Sequence, residues 1–248
     1  MTELTPSFPI LDLHQIEITS RCNLRCVYCV HPKMSRAKED MPETTFVQAL
    51  GWARRFVERG SQHELNLAGI GESTLHPEFV RYVHLAREAV GPACTLVLAT
   101  NGLLVTDDLA EAIAPTGIHV YVSLHRPEKA GPAVECLKRA GILAGVSTDP
   151  ATAATDWAGQ VKWHRSAEAR PCMWVRGGKV FVMSDGRVAQ CSFDGTGEAP
   201  IGSVFDDLHK LRCRPYRLCA GCDMQLGIPG WDQAAGQGVP PAGARVVA

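Results

Sequence analysis

Three cysteines, Cys22, Cys26 and Cys29 in the run Arg21-Cys-Asn-Leu-Arg-Cys-Val-Tyr-Cys-Val30, carry the first chemistry legible in this chain. A C-x3-C-x2-C loop can wrap one face of an iron-sulfur cube. Each sulfur then reaches a different iron, and backbone N–H groups turned inward stabilise the anionic sulfides. With three thiolates for four irons, one iron of a [4Fe-4S] cluster keeps no protein ligand and stays open to a small molecule, which a cluster built only for electron transfer does not need. The competing reading is a zinc site, or three thiols held reduced. Zinc takes four ligands, normally from paired C-x2-C or Cys/His knuckles, and His31 stands too close to Cys29 for that spacing.

Tyr28 puts an aromatic beside the last cysteine, and the full signature, C-x3-C-x-aromatic-C, resembles the radical S-adenosylmethionine (radical SAM) superfamily. The resemblance implies that the open iron chelates the amino and carboxylate groups of SAM, which one electron then cleaves to methionine and a 5'-deoxyadenosyl radical. The stretch Ala68-Gly-Ile-Gly-Glu-Ser-Thr-Leu-His-Pro77 resembles the family's GGE segment, with Ser73 where proline is common. By that likeness the backbone of Ile70, Gly71 and Glu72 pairs with the methionyl ammonium of SAM. Thr100-Asn101-Gly102 and the run around Ser123 resemble family positions that approach the SAM ribose, so Asn101 and Ser123 join Tyr28 as cofactor-binding candidates. All of these also suit ordinary turns. His125, Arg126, Asp149 and His164 are candidates to touch substrate from the rim of the site.

A second group, Cys172, Cys191, Cys213, Cys219 and Cys222, crowds into the final third. C-x13-G-x4-C from Cys172 to Cys191 resembles the opening of the SPASM pattern, an auxiliary-cluster extension of radical SAM enzymes. A hairpin with two thiolates at its base and the loop Cys219-Ala-Gly-Cys222 together make a four-sulfur site, expected at Cys172, Cys191, Cys219 and Cys222. Cys213 is left over as a substitute ligand. Zinc in a four-cysteine ribbon is the competing reading. After Cys191 only C-x5-C-x2-C remains, too few cysteines for two auxiliary clusters. The likeness is therefore to the shortened SPASM form, the twitch domain, in the subgroup of 2-deoxy-scyllo-inosamine dehydrogenase and the peptide-modifying maturases. Cys94 and Cys136 stand apart and read as core residues.

From about residue 14 to 148, strand-like runs alternate with helical patterns, as in βα units on a parallel sheet. Strands are expected over His14 to Thr19, Glu64 to Ala68, Thr95 to Ala99, Ile118 to Leu124 and Ile142 to Ser147. Helices are expected from Glu43 to before Gly60, over Pro77 to Val90, over Asp107 to Ile113 and over Pro132 to Ala140. That is too few units for a closed eight-stranded barrel. The fold class expected is α/β: a partial (β/α)6 barrel over residues 1–150, then a small cluster-binding domain of hairpin plus helix over 151–230. Residues 149–160 form a boundary loop or short helix. Asp185-Gly186 joins Lys179 to Ser184 with Arg187 to Phe193 in the hairpin. Residues 231–248, rich in Pro and Gly, read as a tail.

A net charge of -1 over 248 residues, from 25 basic and 26 acidic side chains, gives no footprint for nucleic acid and no membrane-seeking charge block. Without a signal peptide or a transmembrane-length apolar run, the expected compartment is cytoplasmic, where ten cysteines read as metal ligands rather than disulfides. The function expected is hydrogen abstraction from an unactivated C–H by a radical SAM enzyme, with an auxiliary [4Fe-4S] cluster making a net oxidation the best fit. Two substrate classes suit it, a small polar metabolite such as an aminocyclitol and a ribosomal precursor peptide. A peptide epimerase or other redox-neutral enzyme is one alternative, and a non-catalytic electron relay is another. The expected partners are an electron donor such as flavodoxin or ferredoxin and, for a peptide substrate, a separate leader-binding protein, since only about thirteen residues precede the first strand.

Overall fold

The computed structural model describes residues 6–164 and 170–228. Its elements in chain order are β1 (Phe8–Pro9), β2 (Asp12–Ile16), α1 (Glu43–Glu58), β3 (Glu64–Asn66), α2 (Phe79–Val90), β4 (Thr95–Thr100), α3 (Asp107–Ile113), β5 (His119–Ser123), α4 (Pro127–Arg139) and β6 (Leu143–Ser147). Then follow α5 (Pro150–Ala153), β7 (Arg170–Pro171), β8 (Lys179–Val182), β9 (Arg187–Ala189), β10 (Pro200–Ser203), β11 (Arg212–Cys213), α6 (Arg217–Ala220) and β12 (Met224–Gln225).

Eight strands form one sheet in the order β10-β9-β8-β2-β3-β4-β5-β6, parallel from β8 to β6 and antiparallel at β9 and β10. Helices α1 to α4 are the crossovers from β2 to β6 and bury one face each. In α1 the buried stripe is Phe46, Ala49, Leu50, Ala53 and Phe56, and in α2 it is Phe79, Tyr82, Val83, Ala86 and Val90. The rings of Phe46 and Tyr82 stack at 4.3 Å where the two helices meet. Cys94 and Cys136 belong to this core. The fold is an α/β partial barrel with a large, mainly parallel sheet, as its βα alternation implies.

The sixth parallel strand, however, comes from the far end of the chain. β8 pairs with β2, with Asp12 opposite Lys179 and Ile16 opposite Val182, so the C-terminal hairpin extends the barrel sheet rather than standing clear of it. The Asp185-Gly186 turn joins β8 to β9 with Gly186 at φ 84°, as the hairpin motif requires. A parallel contact of β12 with β7 then brings the chain after Met224 beside Cys172, whose N–H donates to the Gln225 carbonyl at 2.7 Å.

Helix α4 starts at Pro127, five residues before the expected Pro132. Proline suits the first helical position because its missing N–H would be unpaired there, and Pro132 lies inside the same helix at the loss of one backbone bond. The segment 149–160 holds the short α5. The tail expected at 231–248 lies outside the described residues. Among the described residues no helix is long and apolar enough to cross a membrane.

Candidate functional site

The cysteine loop follows β2 at the carboxyl end of the parallel strands, the end at which α/β sheets bind ligands. Cys22, Cys26 and Cys29 line a cavity of about 510 Å³ together with Tyr28, the whole of Ala68 to Glu72, Asn101, Ser123 and His125. Every residue expected to meet SAM thus reaches one space. Arg126, Asp149 and His164 do not line it: Arg126 pairs with Glu128 at 3.0 Å, and the His164 ring lies 5.8 Å from that of Trp163.

The loop is shaped for sulfur ligation. The N–H of Leu24 points at Cys22 Sγ and that of His31 at Cys29 Sγ, each at 3.4 Å. Such bonds stabilise a thiolate more than a thiol. Burial pushes the Cys22 and Cys29 thiols up to about 11, so a metal taken up by the loop at neutral pH would have to displace their protons. His31 reaches back from Nε2 to the Ser20 carbonyl at 3.0 Å and closes the base of the loop.

The Gly69–Glu72 segment is pressed onto this loop. A Cβ on Gly71 would lie 2.2 Å from the Thr19 carbonyl oxygen and 2.6 Å from that of Arg21, a contact only glycine permits. Glu72 is 4% exposed, and its carboxylate is spent within the protein. It accepts from Thr74 Oγ1 and Thr100 Oγ1 at 2.7 Å each and from the Asn101 N–H at 2.8 Å. The side chain therefore ties the segment to the end of β4. The N–H groups of Ile70 and Glu72 are taken by Glu17 Oε1 at 2.9 Å and the Arg21 carbonyl at 2.7 Å. Asn101 is likewise tied, its amide donating to Asn23 Oδ1 at 2.7 Å inside the cysteine loop.

Tyr28 and His125 form one unit. The hydroxyl and Nδ1 are 2.5 Å apart, the rings stack at 5.8 Å, and the same Nδ1 lies 3.8 Å from Cys26 Sγ. Burial raises the Tyr28 phenol and lowers His125, so the pair is held as a protonated phenol beside a neutral imidazole, with Cys26 Sγ within reach of both.

A second pocket lies behind the first and is lined by Cys172, Cys191, Cys219 and Cys222, with Cys213 absent from its wall. The N–H groups of Phe193 and Met224 point at Cys191 and Cys222 Sγ at 3.4 Å each, repeating the device of the first loop. Burial pushes Cys219 up to about 11 and Cys222 to about 12. Cys213 lies in β11 opposite Phe8, fully buried. Among the described residues no three His, Cys, Asp or Glu side chains stand close enough to hold a single metal ion.

The wall between the pockets has no motif. Phe193 lines both spaces, Trp157 lines the first and Ala158 the second. Trp157 and Ala158 sit at φ 53° and 57°, a left-handed turn that costs non-glycine residues roughly 1–2 kcal/mol each. Trp157 Nε1 donates to the Tyr28 carbonyl at 3.0 Å, and Gln160 Nε2 donates to the Trp157 and Phe193 carbonyls.

A parallel α/β sheet with a three-thiol loop and a glycine-lined cavity at its carboxyl end defines a cluster-binding partial barrel. Residues 16–163 match the family model described as the Radical SAM superfamily, and the chain belongs to that superfamily. Members of that superfamily use SAM and a [4Fe-4S] cluster, and the thiols, inward N–H groups and cavity of the first site suit both.

Among relatives, a tungsten-containing aldehyde ferredoxin oxidoreductase cofactor-modifying protein of Pyrococcus furiosus is 36% identical over 110 residues, 44% of this chain and 29% of that protein. A PqqA peptide cyclase of Ruegeria pomeroyi is 33% identical over 125 residues, 49% of this chain and 30% of that protein. The matched stretches thus span about three-tenths of these relatives. Among solved structures, BtrN in complex with AdoMet and 2-DOIA superposes with TM-score 0.65 at 18% identity, covering 81% of this chain and 80% of that one. Native anSMEcpe with bound AdoMet and a peptide gives 0.56 at 17%, covering 81% and 79%. At such identities the likeness is one of fold.

Proposed function

We propose that this enzyme carries out a two-electron oxidation of an unactivated C–H position, on a small polar metabolite or a residue of a precursor peptide, using a second [4Fe-4S] cluster held by Cys172, Cys191, Cys219 and Cys222. In this reading residues 1–150 carry the SAM site and residues 151–230 the auxiliary-cluster domain. The observation that carries it is the four-thiol pocket with Phe193 common to its wall and that of the SAM cavity.

Loaded with cluster and SAM, the first site supplies one electron, methionine and a 5'-deoxyadenosyl radical that takes a substrate hydrogen as 5'-deoxyadenosine. The oxidised substrate gives up one further electron and one proton. It loses two electrons in all, the sulfonium gains two, and no external electron is consumed net. The protein's own residues fix the geometry. Ile70 and Glu72 have spent their N–H groups on Glu17 and Arg21, and the Glu72 carbonyl accepts from the Leu75 N–H, so the Ile70 and Gly71 carbonyl oxygens are the ones offered to an ammonium. Asn101 and Ser123 offer polar groups at the ends of β4 and β5 to the ribose. Trp157 and Phe193 exclude water on the side facing the second pocket. Both substrate classes have a counterpart among the structural neighbours, one solved with 2-DOIA and one with a peptide. The first electron comes from a donor of the flavodoxin or ferredoxin class, and a peptide substrate would arrive with a leader-binding partner.

The test is anaerobic reconstitution of the parent protein and of Cys219→Ala/Cys222→Ala, followed by iron analysis, 5'-deoxyadenosine assay and product analysis with an aminocyclitol and a precursor peptide as substrates. The reading expects SAM cleavage in both proteins, with oxidised product from the parent alone. Oxidised product from the variant would refute the part given to the second cluster, and a redox-neutral product such as an epimerised residue would refute the oxidation. A protein that takes up zinc and stays colourless at the second site would refute the auxiliary cluster.

A further inference from the structure

Glu17 and Arg36 lie outside both pockets and form a buried ion pair, with Arg36 Nη2 2.7 Å from Glu17 Oε2 and side chains 0% and 4% exposed respectively. Burying two charges is costly, and apolar side chains would fill the same volume, so packing alone gives no reason for the pair. What distinguishes it is the set of segments that meet on it.

Glu17 closes the strand that leads into Cys22, and Arg36 belongs to the chain leaving the cysteine loop. Glu17 Oε1 accepts from the Ile70 N–H at 2.9 Å, and a Cβ on Gly69 would lie 2.3 Å from Glu17 Cγ, so the SAM-cavity segment rests on this carboxylate. The other oxygen, Oε2, accepts from the Ser184 N–H at 3.1 Å, at the end of β8. Arg36 points the same way: Nη1 donates to Ser184 Oγ at 3.3 Å and Nε to the Gly195 carbonyl at 2.9 Å. Gly195 is four residues past Cys191, and a Cβ there would meet Val30 Cγ1 at 2.7 Å and Ile70 Cδ1 at 3.1 Å. One carboxylate and one guanidinium therefore span the SAM segment, the exit of the first cysteine loop and both ends of the hairpin that carries Cys191.

We infer that Glu17 and Arg36 are positioning residues that couple the two cysteine sites, so that ordering the Cys191 hairpin tightens the hold of the Ala68–Glu72 segment on SAM. The inference rests on the proposed second cluster. Coupling of this kind is reciprocal: SAM must also steady the hairpin. Arg36 is suited to the task because its planar fork serves Glu17, Ser184 and Gly195 at once, which a lysine ammonium cannot do while still facing the carboxylate.

The test is a binding cycle, with SAM titrated calorimetrically into four anaerobically reconstituted full-length proteins: the parent, Cys219→Ala/Cys222→Ala, Arg36→Lys, and the three substitutions together. Emptying the second site is expected to weaken SAM binding roughly tenfold in the parent, within the usual range of site-to-site coupling, and less than about twofold in the Arg36→Lys background. Equal loss in both backgrounds, or no loss in the parent, would overturn the inference. Iron analysis separates the two claims. A parent with one cluster overturns the second-cluster reading and this inference with it, whereas two clusters with an additive cycle overturn the inference alone. Should a variant fail to fold, hydrogen exchange in the parent still decides. SAM is expected to slow exchange of the Ser184 N–H, and unchanged exchange at that amide on saturation with SAM would contradict the coupling.

Discussion

The two cysteine sites use the same local device and end in different environments. At both, the N–H two residues past a cysteine points at its sulfur, from Leu24, His31, Phe193 and Met224, each at 3.4 Å. The first site has three cysteines on a loop, two of them so served, and opens onto about 510 Å³. The second has four, gathered from separate stretches, and apolar Val175, Leu218 and Leu226 close around them. The lesson is that the same turn serves two thiols at each site, while the number of thiols and the walls around them differ and decide what else can bind. Were each to hold a [4Fe-4S] cluster, the three-thiol site would keep one iron open to a cosubstrate and the four-thiol site would have none to offer.

That contrast can be broken most severely at Cys26. Cys26→Ala is expected to remove the first cluster and reduce 5'-deoxyadenosine to background while about half the iron remains, read by iron analysis and product assay on the same sample. Retained SAM cleavage would mean that the two sites are not divided as described. Next in size is Gly71→Ala. With the Thr19 and Arg21 carbonyl oxygens within 2.6 Å of the new methyl, the overpacking costs about 1–3 kcal/mol and displaces the segment. SAM affinity is expected to fall by tenfold or more while cluster absorbance is kept, as titration would show.

Glu72→Gln should act more mildly and in a telling direction. Each carboxylate oxygen faces a backbone N–H, Oε1 that of Thr74 and Oε2 that of Asn101, so an amide must turn its N–H₂ toward one of them at a cost of about 1–3 kcal/mol. The expected result is weaker SAM binding with both clusters present. Unchanged affinity would mean that the carboxylate does not brace the segment. The smallest effect is expected at Cys213. Cys213→Ala removes a buried side chain outside the second pocket, costing about 1 kcal/mol and a few degrees of melting temperature. Iron content should stay the same, and a loss of about four irons would make Cys213 a ligand.

What could be seen in the sequence followed from how local each signal is. C-x3-C-x-aromatic-C and Cys219-x2-Cys222 place their cysteines within a few residues of one another, so spacing alone points to the site. The alternation of strands and helices from β2 to β6 is equally local, and so is the Asp185-Gly186 turn. Helix α4 was harder because Pro132 is the stronger apparent start and Pro127 the actual one. The pairing of β8 with β2 could not be read, since an apolar run says strand without saying beside which neighbour. Glu17 and Arg36 are two ordinary charged residues until the fold brings Ser184 and Gly195 to them. Trp157 and Phe193 gain their place in the dividing wall only through the left-handed turn at 157–158, which no turn-favouring residue announces.

The central claim is that the metal held by Cys22, Cys26 and Cys29 has a coordination position free for SAM. Electron paramagnetic resonance of the reduced, reconstituted protein with and without SAM tests it most directly, using Cys219→Ala/Cys222→Ala to isolate the first site. The account predicts a cluster signal in that variant that SAM shifts, and the same SAM-sensitive component in the parent. A signal that SAM leaves unchanged would contradict it, because a cluster with every iron already ligated by the protein has no place for the cosubstrate to bind.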